Sequence, residues 1–335
     1  MTGITRRVSR REILAAACAL AVLAPCARST ARAKDTLTVG AVQFGTVHWL
    51  LEVIKANKLD AAEGFSLSPR MFASNAAADI GLLGGEADIV TTDWFWVMRQ
   101  RALGGDYVFM PQSAALGSIV VPAGSPIQNV SDLKGKEIGV AGGPIDKSWL
   151  ILRAYGKSHG AGDLAVTAKP VFGAPPLLNE QAIAGRVDAL LNFWPYAARL
   201  EAKGFRRLIG VSGMMRAFGI ESALPLVGFV FPATLANSEP ALMQGFARAV
   251  RKARKILLDS SSEWERVRPL MKANGDEEFR LLRDRYREGL LYSWSERDRE
   301  AAGKLFAIVR DTGGEEVTGA GVRFDPKAFW DGIVF

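Results

Sequence analysis

Two tryptophans and a set of hydroxyl, amide and carboxylate side chains mark where this chain could do chemistry. Phe44, Thr46 and His48 follow a first strand-like run, Ser74 and Asn75 precede a helix, and Thr92, Asp93 and Trp94 follow a third apolar run. Displaced by 100 residues, Asn192 and Trp194 stand in the same relation to another such run, while Gly143, Asp146 and Lys147 lie in a glycine-rich loop. Free N–H groups at helix starts suit an anionic oxygen cluster, and two indole rings can sandwich an apolar or heteroaromatic body. Together these residues are the expected ligand-binding set. Asp93 and Asp146 oppose a simple anion unless Lys147 or His48 offsets them. If the rings stack on a ligand, Trp94→Ala and Trp194→Ala each weaken binding by about 1–3 kcal/mol. Plainer roles compete: Thr46, Ser74, Asn75 and Asp146 suit helix caps, and Trp49, Trp96 and Trp149 suit core packing.

No catalytic constellation accompanies them. The sequence has no P-loop, no H-E-x-x-H and no dinucleotide fingerprint. Carboxylate pairs for glycoside chemistry leave no trace in sequence and stay open. His48 and His159 are the only histidines, and Cys18 and Cys26 the only cysteines. Both cysteines fall in an N-terminal segment expected to be removed, so cysteine nucleophiles, thiolate zinc sites and disulfides drop out together. Neither metal nor cofactor is expected, and the chain reads as a binder, not an enzyme.

The removable segment is residues 1–33. Arg10-Arg11 precedes the apolar run Ala15 to Pro25, and Ala31-Arg32-Ala33 offers small residues for a peptidase. Paired arginines before a short alanine-rich core fit a twin-arginine export signal, so a periplasmic location is expected. A lipid anchor on Cys26 is disfavoured by Pro25. The whole chain of 335 residues carries +7, but this segment holds six arginines and one acid, leaving 36 basic against 34 acidic groups. The charge argument for a nucleic-acid partner therefore disappears.

With 49% apolar and 23% charged residues the chain fits one or two globular domains. Beyond Thr36 it alternates strand-length apolar runs (Leu37 to Val42, Phe65 to Met71, Ala87 to Thr91) with helical spacing (Thr46 to Asn57, Ala76 to Leu83). Such units predict parallel sheets covered by helices. The alternation restarts at Glu137 to Val140 and Ser148 to Lys157, and the second series is a weak copy of the first. Gly85-Glu86-Ala87-Asp88 through Trp94 aligns with Gly185-Arg186-Val187-Asp188 through Trp194, and Gly40 aligns with Gly139. Two similar lobes follow: residues 34–116 with 230–335, and residues 117–229 between them. Leu116 to Pro122 and Leu226 to Phe231 are expected to cross between the lobes. After Pro240 four amphipathic helices with mixed charge are expected to brace the outside of the first lobe. The run Arg251 to Lys255 reads as a solvated helix face, and Phe324, Phe329 and Trp330 as a tail packed on the surface.

These segments resemble the solute-binding proteins of the nitrate/sulfonate/taurine ABC-importer group, which also includes binders of thiamine-pyrimidine precursors. The carriers are Leu37 to Val42, Gly84-Gly85-Glu86-Ala87-Asp88-Ile89-Val90, Ser131-Asp132-Leu133-Lys134-Gly135-Lys136-Glu137-Ile138-Gly139-Val140, and Gly185 to Ala189 leading to Trp194-Pro195-Tyr196. The resemblance implies a type II periplasmic-binding-protein-like α/β fold with two parallel-sheet lobes and the ligand between them. It also implies a monomer that delivers a sulfonate, nitrate, or pyrimidine or amine-like solute to an ABC permease in the inner membrane. Gly142 to Ser148 departs from the glycine-serine turn common in that group. The alternative is a pyrimidine-precursor biosynthetic enzyme on the same fold, whose cysteine-rich motif this chain lacks.

Overall fold

The computed structural model describes residues 35–43 and 45–332. The export segment, both cysteines and Phe44 lie outside the described residues. Among the described residues no helix is long and apolar enough to cross a membrane.

The described residues form one unit holding two five-stranded sheets. The first has the order β2-β1-β3-β10-β4, from β1 (Thr36–Val42), β2 (Ser66–Phe72), β3 (Ile89–Asp93), β4 (Tyr107–Pro111) and β10 (Val227–Pro232). The second has the order β7-β6-β8-β5-β9, from β5 (Ser118–Pro122), β6 (Glu137–Ala141), β7 (Lys169–Gly173), β8 (Ala189–Asn192) and β9 (Phe205–Gly210). Neither sheet is wholly parallel, contrary to the sequence expectation. β10 runs antiparallel to β3 and β4, and β5 antiparallel to β8 and β9. The cause is the route of the chain. Each crossing leaves one sheet at the carboxyl end of its last strand and enters the other sheet from that same side, so the entering strand must run backwards.

The first lobe carries helices α1 (Val47–Ala56), α2 (Leu59–Ala62), α3 (Asn75–Leu83) and α4 (Trp94–Ala102). The second carries α5 (Lys147–Ser158), α6 (Leu164–Thr167), α7 (Pro175–Ile183), α8 (Trp194–Glu201) and α9 (Val211–Arg216). Then come α10 (Ala233–Ser238), α11 (Pro240–Asp259), α12 (Ser261–Met271), α13 (Asp276–Glu288), α14 (Glu296–Gly313) and α15 (Glu315–Thr318). Between β5 and β6 a single 3₁₀ turn, Val130–Leu133, is capped by Asn129.

The internal repeat has a physical basis. Asp88 Oδ2 accepts the Thr38 backbone N–H at 2.9 Å, and Asp188 Oδ2 accepts the Glu137 N–H at 2.8 Å. Each aspartate ties the start of the second strand of its sheet, β1 or β6, to the end of the neighbouring helical unit. Gly85 and Gly185 sit at φ 72° and 67°, the left-handed region that ends α3 and α7 without a Cβ penalty. The repeated Gly-x-x-Asp is therefore a stop-and-dock device.

The C-terminal helices do not stay on the first lobe. α11 and α12 pack on α1, but α13 packs on α8 and α14 on α5, both in the second lobe. Phe306 and Val309 of α14 share one core with Trp94 and Phe95 of α4 and Trp149 and Leu150 of α5. The tail is also more than a surface cover: Phe329 is 1% exposed and packs against Phe109. Within the basic run, Lys252 pairs with Glu63 and Lys255 with Asp259, as a solvated face would. Arg254 is the exception: it is buried, donates to the Pro111 carbonyl at 3.0 Å, and burial pushes its pKa down to about 10.

α13 ends against the first crossing segment. The Ala114 N–H donates to the Gly289 carbonyl at 2.8 Å, and the Ser113 hydroxyl donates to the same oxygen at 3.1 Å. A Cβ on Gly289 would overlap the Cβ and backbone N of Ala115. Gly289→Ala is expected to lower stability by about 1–3 kcal/mol, read as a shifted urea midpoint with unchanged slope.

Candidate functional site

The strands β1, β2 and β3 end toward the strands β6, β7 and β8 of the other lobe, and the loops that follow them form the facing surfaces. Ligands of open α/β sheets bind at such carboxyl ends. Among the contacts that join the surfaces, two stand at helix starts. Lys147 Nζ, at the start of α5, lies 2.7 Å from Asp93 Oδ2, at the start of α4, with both side chains 20% exposed. Trp194, at the start of α8, meets Trp49 of α1 edge to face with ring centroids 6.1 Å apart.

Both charged partners are positioned by helix capping. Asp93 Oδ1 accepts the Trp96 N–H at 2.9 Å, leaving Oδ2 for Lys147. Asp146 Oδ1 accepts the Ser148 and Trp149 N–H groups at 2.9 and 3.3 Å, which starts α5 and aims Lys147 across the gap. The loop before it needs glycine. Gly142 has φ 91°, and a Cβ there would come within 2.8 Å of Asp146 Oδ2. Gly143 has φ 107° and faces open space.

Burial raises the Asp146 carboxyl, against the opposing pull of Lys147 and the α5 N–H groups. Asp93 is held below the ordinary carboxylate range despite its burial, because Lys147 and then Arg99 act on it. Asp79, in the middle of α3, goes the other way. Desolvation raises it to about 6, Asp93 adds to the rise, and a hydrogen bond from Thr92 with the charges of Arg99 and Lys147 only partly offsets it. Its Oδ1 is buried without a hydrogen-bond partner. Asp79 was not among the sequence candidates; a lone acid in the apolar run Ala76 to Leu83 is the signal that could have found it.

An acid whose folded pKa lies above its unfolded value binds a proton more readily in the folded state. The resulting cost is absent below about pH 4, grows toward pH 6 and is full above it. Asp79→Asn is therefore expected to stabilise the empty protein by about 2 kcal/mol at pH 7.5 and by almost nothing at pH 4, compared by urea unfolding at each pH.

The other sequence candidates divide. Ser74 caps α3 by accepting the Ala77 N–H at 3.1 Å, and Asn75 is exposed beside it. Thr46 precedes α1 without a side-chain capping bond, and His48 is half-buried in the first turn. Thr92 is 3% exposed and serves Asp79. Asn192 is 1% exposed, donates to Asn179 Oδ1 and to the Pro175 carbonyl, and accepts the Phe193 N–H, so its amide is spent on holding α7 to β8.

Trp94 overturns its expectation. It is fully buried, its Nε1 donates to the Pro225 carbonyl at 3.0 Å, and Phe95 stacks on it at 3.9 Å. Phe306, Phe324 and Phe329 close the remaining sides. No face of the indole is left for a ligand. Trp194 is half-buried against Trp49 and Tyr286, so the two rings of the repeat lie in different clusters and make no sandwich.

Residues 109–263 match the family model described as NMT1/THI5 like. No curated protein sequence matches the chain significantly. Among solved structures, the alkanesulfonate-binding protein SsuA from Xanthomonas axonopodis pv. citri, bound to MOPS, superposes with a TM-score of 0.66 at 18% identity. That match covers 89% of this chain and 99% of the other. The periplasmic aliphatic sulphonate binding protein SsuA from Escherichia coli gives 0.69 at 18% identity, covering 89% and 92%. The desulfurization enzyme DSZB gives 0.56 at 15% identity, covering 84% and 93%. In fold the chain is a two-lobed, periplasmic-binding-protein-like α/β protein with mixed sheets, and over residues 109–263 it carries the pattern of the NMT1/THI5-like family, in line with the resemblance read from its sequence.

Proposed function

We propose that this protein is the solute-capturing component of an ABC-type importer, exported to the periplasm and working as a monomer that delivers its solute to a permease in the inner membrane. The observation that carries the reading is the pair of interlobe contacts, Asp93 with Lys147 and Trp49 with Trp194. Both pairs join surfaces at the carboxyl ends of the strands. A solute entering there touches both lobes at once, and its contacts favour the arrangement in which the lobes approach. Thr46, His48, Ser74, Asn75, Gly143, Asp146 and Lys147 are the proposed lining. No bond of the solute is made or broken.

The likeness to solute-binding folds and the NMT1/THI5-like match support this reading. The likeness to a desulfurization enzyme keeps a catalytic reading in view. Purified protein incubated with a small-molecule extract of its host separates the two. A solute that raises the melting temperature, binds one to one and is recovered unaltered by mass spectrometry supports capture. Catalytic conversion of that solute supports an enzyme.

A further inference from the structure

We infer that Asn274 is a site of self-modification: its side-chain amide condenses with the backbone nitrogen of Gly275, and the acid that results loosens α13 from the second lobe. The inference goes beyond the solute-binding reading and does not depend on it.

Asn274-Gly275 is the only Asn-Gly pair among the seven asparagines of the chain. It lies in the linker between α12 and α13, where the chain turns through Lys272 at φ 52° and Gly275 at φ 93°. The fold asks for glycine at 275, because that φ lies in the left-handed region. The same missing Cβ leaves the Gly275 nitrogen unshielded, and a Cβ built there would meet nothing within 4 Å. Among the described residues no acceptor takes the Gly275 N–H, and Asn274 is exposed. The other exposed asparagines, Asn57, Asn75, Asn129 and Asn237, are each followed by a residue with a side chain.

The Gly275 nitrogen loses its proton and bonds to Cγ of Asn274. The Cγ–Nδ2 bond breaks, and ammonia leaves with the proton, closing a succinimide ring. Water then opens the ring at one of its two carbonyls, giving aspartate or isoaspartate. Water is the reactant and ammonia the by-product, and no oxidant or reductant is needed.

The position of Asn274 gives the reaction a consequence. Its Nδ2 donates to Glu278 Oε2 at 3.4 Å, and Glu278 is 3% exposed and paired with Arg199 of α8. The new carboxylate donates nothing and sets a like charge beside that buried one. A helix start ordinarily favours an acid, but Asp276, Glu277 and Glu278 already fill the first turn of α13. Isoaspartate also lengthens the main chain by a methylene, one residue before the Gly275 cap. Repulsion therefore outweighs the helix-start gain, and the seam between α13 and α8 opens more often.

The test holds the full chain in mildly alkaline buffer and follows it by tryptic peptide mapping, with isoaspartate scored by enzymatic methylation. Cleavage after Lys272 and Arg280 isolates residues 273–280. That peptide is expected to lose its amide first, with isoaspartate as the larger product, while the peptides carrying the other asparagines stay intact. Asp331-Gly332 can close the same ring, but it gains no mass and lies on a different peptide. Asn274→Gln, which would have to close a larger ring, should stop the conversion and leave the chain folded. Aged protein and Asn274→Asp should both show faster amide exchange along α13 and an earlier urea midpoint than Asn274→Gln. An intact Asn274 after other asparagines have reacted, or conversion without any isoaspartate, would overturn the ring closure. Conversion with unchanged exchange along α13 would overturn the loosening.

Discussion

Trp94→Ala is expected to lower the unfolding free energy by about 3–5 kcal/mol, a loss of stability and not of affinity alone. The ring is fully buried between Phe95, Phe306, Phe324 and Phe329, so truncation opens a cavity where the first lobe, α14 and the tail meet. The neighbours cannot close that cavity, because they come from separate elements: α4, α14 and the segment after α15. The mutation also strands the Pro225 carbonyl that Nε1 satisfies. Urea titration of the variant should show an early midpoint, while a surviving folded fraction should retain solute binding. Unchanged stability with lost binding would return Trp94 to the cleft.

Arg199→Met is expected to cost about 3 kcal/mol. Arg199 of α8 pairs with Glu278 of α13, which is 3% exposed, and its guanidinium also donates to the Met271 carbonyl at 2.7 Å and the Lys272 carbonyl at 3.0 Å. A reciprocal pair, Arg285 of α13 with Glu201 of α8, lies on the same interface. Removing the arginine leaves Glu278 buried with Asn274 at 3.4 Å as its remaining side-chain donor. The loss comes mainly from that stranded carboxylate. The double variant Arg199→Met, Glu278→Leu should therefore recover most of the stability, and a double-mutant cycle measures how much. A double variant as unstable as the single one would mean that packing, not charge, holds α13 on the second lobe.

How far these features were legible follows from range. The alternation of strands and helices, and the Gly-x-x-Asp repeat, are local signals, and both lobes follow from them. The antiparallel strands β5 and β10 were not legible, because their direction is set by how the chain crosses between sheets and not by their own residues. Trp94 and Trp194 occupy matched positions after β3 and β8, yet their fates diverge. The α14 helix and the tail cover one, while α1 and α13 receive the other. A repeat fixes backbone position; what lands on the side chain comes from distant sequence. Glu278 and Arg254 sit in helices of dense mixed charge, where periodicity alone cannot pick out the charged residue that ends up buried. Lys147 and Asp93 were both recognised as candidates, but their pairing across 54 residues became visible only in three dimensions.

A carboxyl that costs stability in the empty protein should give a more stable protein when it is neutralised.

Lobe approach over a solute is tested most directly by a distance. Leu83 and Ile183 are 53% and 44% exposed, occupy matching ends of α3 and α7, and lie one in each lobe. With both replaced by spin-labelled cysteines, pulsed electron resonance should give a longer, broader distance distribution without solute. It should become shorter and narrower when the host extract is added, with the solute recovered intact. The same distribution in both conditions, with the solute chemically altered, would contradict capture between closing lobes.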